Sequence, residues 1–303
     1  MTVLMLGLGA CDSEQSSEPD SGLSVDSGAE DCQLDTASPT WLGSMQREVV
    51  GKLSGEEEIA PGVQLSDRAT VSNRQRTRDY LSAELEVIGY VVERHDYGSG
   101  TNLVASLAGS TDGVYVVGAH FDSVPGSPGA NDNATGVAAV LASARLMREQ
   151  ACSFTAELRF VFFDEEEIGL VGSRAYAAKL VQDGTRVLGV TTVDQLGWDE
   201  DGDWQIEIEL AIPGEIDRVA ASIARHGLSV SLLPTNTAGS DHTAFREQGF
   251  PALGITEEFV NGDTTPHYHL GSDVFDTVNF DYLASGSAVL NAYVWDLGRS
   301  ADR

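Results

Sequence analysis

The sequence predicts an α/β fold, a single three-layer domain on a mixed, mostly parallel sheet with helices on both faces. Two observations carry that prediction. Short apolar runs rich in Val and Phe alternate with stretches of helical periodicity. Three of those runs stop abruptly in His120, in the acidic residues 164–167 and in Asp194. Strands of a covered parallel sheet read as continuous apolar runs, and such sheets bind ligands outside the carboxyl ends of their strands. The clearest case is Arg-Phe-Val-Phe-Phe-Asp-Glu-Glu-Glu-Ile-Gly-Leu-Val-Gly-Ser, residues 159–173. Four carboxylates at the end of a buried strand are costly unless something positive faces them. Taken alone, the run also reads as a solvated acidic loop.

The elements follow in order. Residues 41–53 carry apolar side chains at helical spacing before Gly55. Residues 70–88 predict a second helix, with Tyr80, Leu81, Leu85 and Ile88 on one side and Gly89 as its stop. Residues 91–95 and 103–107 read as strands. The run 114–119 leads straight into His120-Phe121-Asp122, and a Gly, Pro and Ser loop then delivers Asn131-Asp132-Asn133 to a small-residue helix at 134–148. After the acidic strand come a helix at 173–182, a strand at 187–193 ending in Asp194, and a strand at 205–212. A helix at 215–226, a strand at 228–232, the Ser240-Asp241-His242 loop with a short helix, and a strand at 251–255 follow. A loop with His267 and His269 leads to the closing helix, 280–297. No internal repeat and no second core is evident.

Formal net charge is −29, and lysine occurs only at 52 and 179. This excludes nucleic-acid binding and electrostatic attraction to anionic membranes. Residues 1–10 are apolar and small, without a basic leader, and Leu8-Gly9-Ala10-Cys11 resembles a bacterial lipobox. The resemblance implies a lipoprotein-type signal peptide at 1–10, an anchor at Cys11 and export. Residues 11–38, rich in Ser, Asp, Glu and Gly, read as an acidic tether, which leaves 39–303 as the folded domain. Cys32 and Cys152 are either a disulfide or two separate thiols; their spacing fits no zinc finger.

Imidazole and carboxylate together suit zinc, and two neighbouring metals need a carboxylate with an oxygen for each. Singly, Asp132 would pass for a helix cap and Asp194 for a turn residue. In combination, His120-Phe121-Asp122, Gly129-Ala130-Asn131-Asp132-Asn133-Ala134-Thr135-Gly136 and Glu166-Glu167-Ile168-Gly169-Leu170-Val171-Gly172-Ser173 resemble the signatures of the M28 metallopeptidases. Asp194-Gln195-Leu196-Gly197-Trp198, Ser240-Asp241-His242 and Tyr268-His269-Leu270-Gly271-Ser272-Asp273 continue the resemblance in order, over residues 41–297.

The resemblance implies two Zn2+ per chain bridged by Asp132, one also held by His120 and Asp194, the other by Glu167 and His269. It implies Glu166 as general base and Tyr268 as a donor to the oxyanion. Asp122, Asn133 and Asp241 are implied as supports of the ligands, with a cis peptide after Asp132. The run holds three Glu, so a one-residue slip in register is the main alternative, and His267 competes with His269. The activity implied is removal of N-terminal residues from peptide substrates. A carboxypeptidase or other amidohydrolase, a glutaminyl cyclase, and a non-catalytic binding protein are the alternatives.

Overall fold

The computed structural model describes residues 32–209, 212, 214–260 and 262–300. The signal-like segment, Cys11 and residues 12–31 of the acidic stretch lie outside the described residues. Cys32 and Cys152 are both disulfide-bonded. No helix among the described residues is long and apolar enough to cross a membrane.

Among the described residues, eight strands form one sheet: β1 (Val92–Asp96), β2 (Thr101–Leu107), β3 (Gly113–His120), β4 (Glu157–Phe163), β5 (Arg186–Asp194), β6 (Gln205–Glu209), β7 (Ser231–Thr235) and β8 (Ala252–Thr256). Their order is β1-β2-β4-β3-β5-β8-β6-β7. The central run β4-β3-β5-β8 is parallel, and β6 pairs in parallel with β7. The short turn between β1 and β2 makes that pair a hairpin, and β2 on β4 and β6 on β8 are also antiparallel. Every residue of β3 is buried, as the unbroken apolar run predicts for a strand covered on both faces.

Seven helices among the described residues cover the sheet: α1 (Leu42–Leu53), α2 (Val71–Ile88), α3 (Gly136–Glu149), α4 (Val171–Gln182), α5 (Glu215–Arg225), α6 (His242–Glu247) and α7 (Phe280–Arg299). One layer groups α1, α3, α5 and α7, while α4 and α6 pack together on β2, β5 and β8. Beneath α4 and α6, Val116, Val161, Phe163, Tyr176, Leu180, Phe245 and neighbours form a contiguous apolar cluster. Helix ends follow their local chemistry. The Thr70 hydroxyl accepts from the Asn73 N–H at 3.1 Å, and Gly89 closes α2 at φ 102°.

Two expectations shift. The small-residue helix starts at Gly136 and not at 134, because residues 130–135 form a wide π-type turn whose side chains bond elsewhere. The strand expected at 228–232 is β7 at Ser231–Thr235. Leu228 instead closes α5, donating its N–H to Ile223 O at 3.0 Å and packing on Ala288 and Ala292.

Candidate active site

The parallel strands β4, β3 and β5 end side by side, and each carries functional groups at its carboxyl end. His120 is the last residue of β3 and Asp194 the last of β5, while Glu166 and Glu167 follow β4. Asp132 comes from the turn before α3, and His269 from the loop between β8 and α7. The backbone is bent to deliver them. Glu165, Gln195 and His269 all have positive φ, at 62°, 52° and 58°. The Asp132–Asn133 peptide is cis.

Asp132 points its two oxygens in different directions. Oδ1 lies 3.4 Å from His120 Nε2, which is also 3.4 Å from Asp194 Oδ1. Oδ2 lies 3.2 Å from His269 Nε2, which is 3.0 Å from Glu167 Oε2. The chain thus presents two sets of three ligand atoms, each set within 4.8 Å, that share one carboxylate. Glu166 lines the same cavity and belongs to neither set. His267 stands apart, with Nδ1 3.0 Å from Ser272 Oγ and its ring edge-on to Trp198. Tyr268 lines the cavity, stacked on His269 at 3.8 Å between ring centroids.

The acidic run is divided by what it faces. Asp164 is fully buried against Arg74 Nε at 2.7 Å and Arg78, and Glu165 accepts from Arg74 Nη2 at 2.8 Å and Ser99 Oγ at 2.6 Å. The first two carboxylates are therefore neutralised by α2, and the last two are turned to the cavity. Asp122 connects the parts. Its Oδ1 and Oδ2 accept the N–H groups of Glu166 at 3.0 Å and Glu167 at 3.1 Å, and Oδ1 lies 3.4 Å from His120 Nδ1. Asn133 ties the turn to β5, donating to Val193 O at 2.9 Å and accepting from Gln195 N at 3.2 Å. Asp241 is buried within the field of His120 and Asp194, and burial pushes its carboxyl up to about 7.

Further supports carry no catalytic motif of their own. Asp273 accepts the N–H groups of Asn131 at 2.8 Å and Asp132 at 3.0 Å. Glu257 holds Asn131 Nδ2 at 3.0 Å and the N–H groups of Gly197 and Trp198, and burial pushes it up to about 8. Arg68, fully buried, donates to the carbonyls of Leu53, Phe121, Pro128 and Gly129. The Arg68 guanidinium thereby ties the end of α1 to the residue after β3 and to the turn that leads to Asp132. Only the chain-order neighbourhood of Asp273 to His269 hinted at any of these.

Electrostatically the cavity asks for cations. Burial raises Glu166 and Glu167, and neighbouring carboxylates raise them further. Burial disfavours a charged His120, yet Glu166 and Asp194 hold it well above the ordinary imidazole range. Glu167 Oε1 and Asp194 Oδ1 are buried without a hydrogen bond from the described residues. Orphaned oxygens beside imidazole nitrogens, in two sets with a shared carboxylate, fit a pair of zinc-like divalent ions.

Solved structures share this architecture. The LapA aminopeptidase of Legionella pneumophila superposes with a TM-score of 0.77 at 20% identity, covering 86% of this chain and 73% of that one. A glutaminyl cyclase of Porphyromonas gingivalis gives 0.69 at 18% identity, over 84% and 98% of the two chains. These likenesses establish the fold and leave the reaction open. In sequence, a probable leucine aminopeptidase of Trichophyton verrucosum is 28% identical over 215 residues, 66% of this chain and 58% of that protein. Leupeptin-inactivating enzyme 1 of Streptomyces exfoliatus is 26% identical over 244 residues, 73% and 54% of the two chains. The chain spans less than two thirds of the length of these curated relatives. The profile described as peptidase family M28 matches residues 102–294, which contain every ligand atom described above. This chain belongs to peptidase family M28.

Proposed function

We propose that this chain is a two-zinc aminopeptidase that hydrolyses the first peptide bond of peptides with a free N-terminus. The observation that carries the reading is Asp132, whose two oxygens face two separate sets of His and carboxylate ligands. Zinc is the metal named for a structural neighbour, the zinc aminopeptidase of Bacillus subtilis, which superposes with a TM-score of 0.61 at 24% identity over 67% of this chain and 52% of that one.

His120, Asp132 and Asp194 would hold one ion, and Asp132, Glu167 and His269 the other. Bound there, zinc supplies Lewis acidity toward the scissile carbonyl and makes water acidic near neutral pH. Glu166 accepts a proton from the attacking water at its carboxylate and passes it to the departing amine. Asp122 fixes the Glu166 backbone and the orientation of His120 together. Tyr268, over His269, donates its hydroxyl to the oxygen that gains charge. Among the described residues lining the cavity there is no Lys or Arg to receive a terminal carboxylate, while Glu166 and Glu209 are carboxylates that belong to neither ligand set. That lining attracts a terminal ammonium and repels a terminal carboxylate, which favours an aminopeptidase over a carboxypeptidase.

The test is a panel of aminoacyl-nitroanilides, N-blocked peptides and N-terminal Gln peptides, with and without added zinc. Zinc-dependent release from the free-amine substrates alone is expected; cleavage of blocked peptides, or cyclisation of Gln without hydrolysis, overturns the reading. The lipobox-like Leu8-Gly9-Ala10-Cys11 supports export with an anchor at Cys11. The expected mature product begins at a lipidated Cys11, which mass spectrometry of the membrane fraction would read.

A further inference from the structure

Past Asp194 the cavity continues toward β8 and β6, where Gln195, Glu209, Thr237, Ser240, Thr256 and Phe259 line it. Phe259 alone of these is apolar, so this side is built for a polar guest. Glu209 lies deeper in the sheet than the strand ends. In the antiparallel register Glu207 opposes Thr256 at the rim and Glu209 opposes Gly254, two residues further down. Gly254 leaves the well open, because a Cβ there would come within 2.7 Å of Glu209 Oε2 and 2.8 Å of His242 Nδ1.

The two glutamates on this face of β6 differ. Glu207 is saturated, accepting from Thr235 Oγ1 at 2.6 Å, Thr237 Oγ1 at 2.9 Å, Phe259 N at 2.9 Å and Val260 N at 3.2 Å. Glu209, 5% exposed, accepts no hydrogen bond from the described residues. Its ion-pair neighbour is His242 Nδ1 at 3.6 Å, beyond hydrogen-bond reach. A charged carboxylate without a donor or countercharge is costly to bury, and burial with Asp194 and Glu207 nearby pushes Glu209 up to about 8, so it carries its negative charge readily only with a cation beside it.

We infer that Glu209 selects the side chain of the substrate's first residue, and that the pocket takes a cationic one, lysine or arginine. The inference rests on the aminopeptidase reading of the same site. Strands stand about 4.8 Å apart, so β6 lies roughly 10 Å across the sheet from Asp194. A lysine stem carries its ammonium roughly 6 Å from Cα, and the Glu209 side chain covers part of the remainder. With the scissile carbonyl at the ligand sets, a lysine or arginine reaches Glu209, and leucine stops short of it. The arriving ammonium or guanidinium brings the donors and the positive charge that Glu209 lacks.

The experiment compares kcat/KM for lysyl-, arginyl-, leucyl- and norleucyl-nitroanilide on the zinc-loaded full chain, norleucine matching lysine in length without its charge. The lysine to norleucine ratio is expected to be tenfold or more. In Glu209→Gln the ratio should fall at least tenfold, mainly through KM for the lysine substrate, and Glu209→Asp should recover part of it. A wild-type ratio near one, or a ratio unchanged in Glu209→Gln, overturns the inference while the aminopeptidase reading stands. Hydrolysis of none of the four sinks both.

Discussion

Asp122→Asn perturbs the site through one buried side chain. Both Asp122 oxygens accept backbone N–H groups, at 3.0 Å from Glu166 and 3.1 Å from Glu167, and Oδ1 also faces His120 Nδ1 at 3.4 Å. Asparagine keeps one acceptor and turns an amide NH2 toward the other N–H. One charge-assisted hydrogen bond is lost, worth about 1.5–3 kcal/mol, and a buried donor is left facing a donor. His120 also loses the carboxylate that orients its ring and favours metal-binding tautomer, a kind of change that typically costs about 10–100-fold in metal affinity or activity. The assay is competition with a chromophoric zinc chelator, followed by kcat/KM at saturating zinc. Weaker zinc binding by at least tenfold is expected, with activity still reduced when zinc is saturating because the Glu166 backbone has lost its anchor. Zinc affinity within twofold of wild type would refute the argument that Asp122 couples the glutamate loop to His120.

Three other outcomes follow from the same geometry. Glu166→Gln should keep its metal and lose about two to four orders of magnitude in kcat, whereas Glu167→Gln should lose metal, with partial recovery in excess zinc; metal analysis and kinetics on both variants check this, and reversed results would put the acidic run one residue out of register. His269→Ala should lose metal and activity, while His267→Ala, whose ring faces Ser272 and Trp198, should lose neither. Arg74→Met strips Glu165 of its guanidinium partner and leaves buried Asp164 with Arg78 alone, and should cost about 3–5 kcal/mol at pH 8. The pH sign is fixed by Asp164, which burial raises from 3.8 to about 6. Its folded form binds the extra proton, so the stability it contributes is full below pH 3.8 and is lost as pH rises through 6. Removing Arg74 raises that pKa further, so thermal melts should show a smaller penalty at pH 5 than at pH 8.

The strand ends were legible in the sequence for one reason, whereas Asp132, Glu167 and His269 became candidates only through the M28 resemblance. A buried parallel strand must be apolar throughout, so the polar residue that ends it stands out, as His120 does after β3 and Asp194 at the end of β5. Supports contributed from elsewhere in the chain gave no such contrast. Arg74 and Arg78 lie one helical turn apart on α2, a signal that could have been read in a chain with only 18 Lys and Arg, because two buried strand-end carboxylates needed a positive partner. The Arg68 guanidinium donates only to carbonyl oxygens among the described residues, and no side-chain pattern announces that. Glu209 looked like one more polar residue of an alternating strand, and only the register against Gly254 sets it deeper in the sheet than the strand ends. Leu228 misled for a related reason, since an apolar residue after a glycine serves a helix end as well as a strand start.

In the proposed two-zinc enzyme, Asp132 would hold two metal ions at once, one on each oxygen. Anomalous scattering at the zinc edge from crystals grown with zinc measures this directly. Two peaks are expected about 3.5–4 Å apart, the usual spacing of two-metal sites, one among His120, Asp132 and Asp194 and the other among Asp132, Glu167 and His269. A single peak, or two peaks with Asp132 bonded to only one of them, would contradict the account.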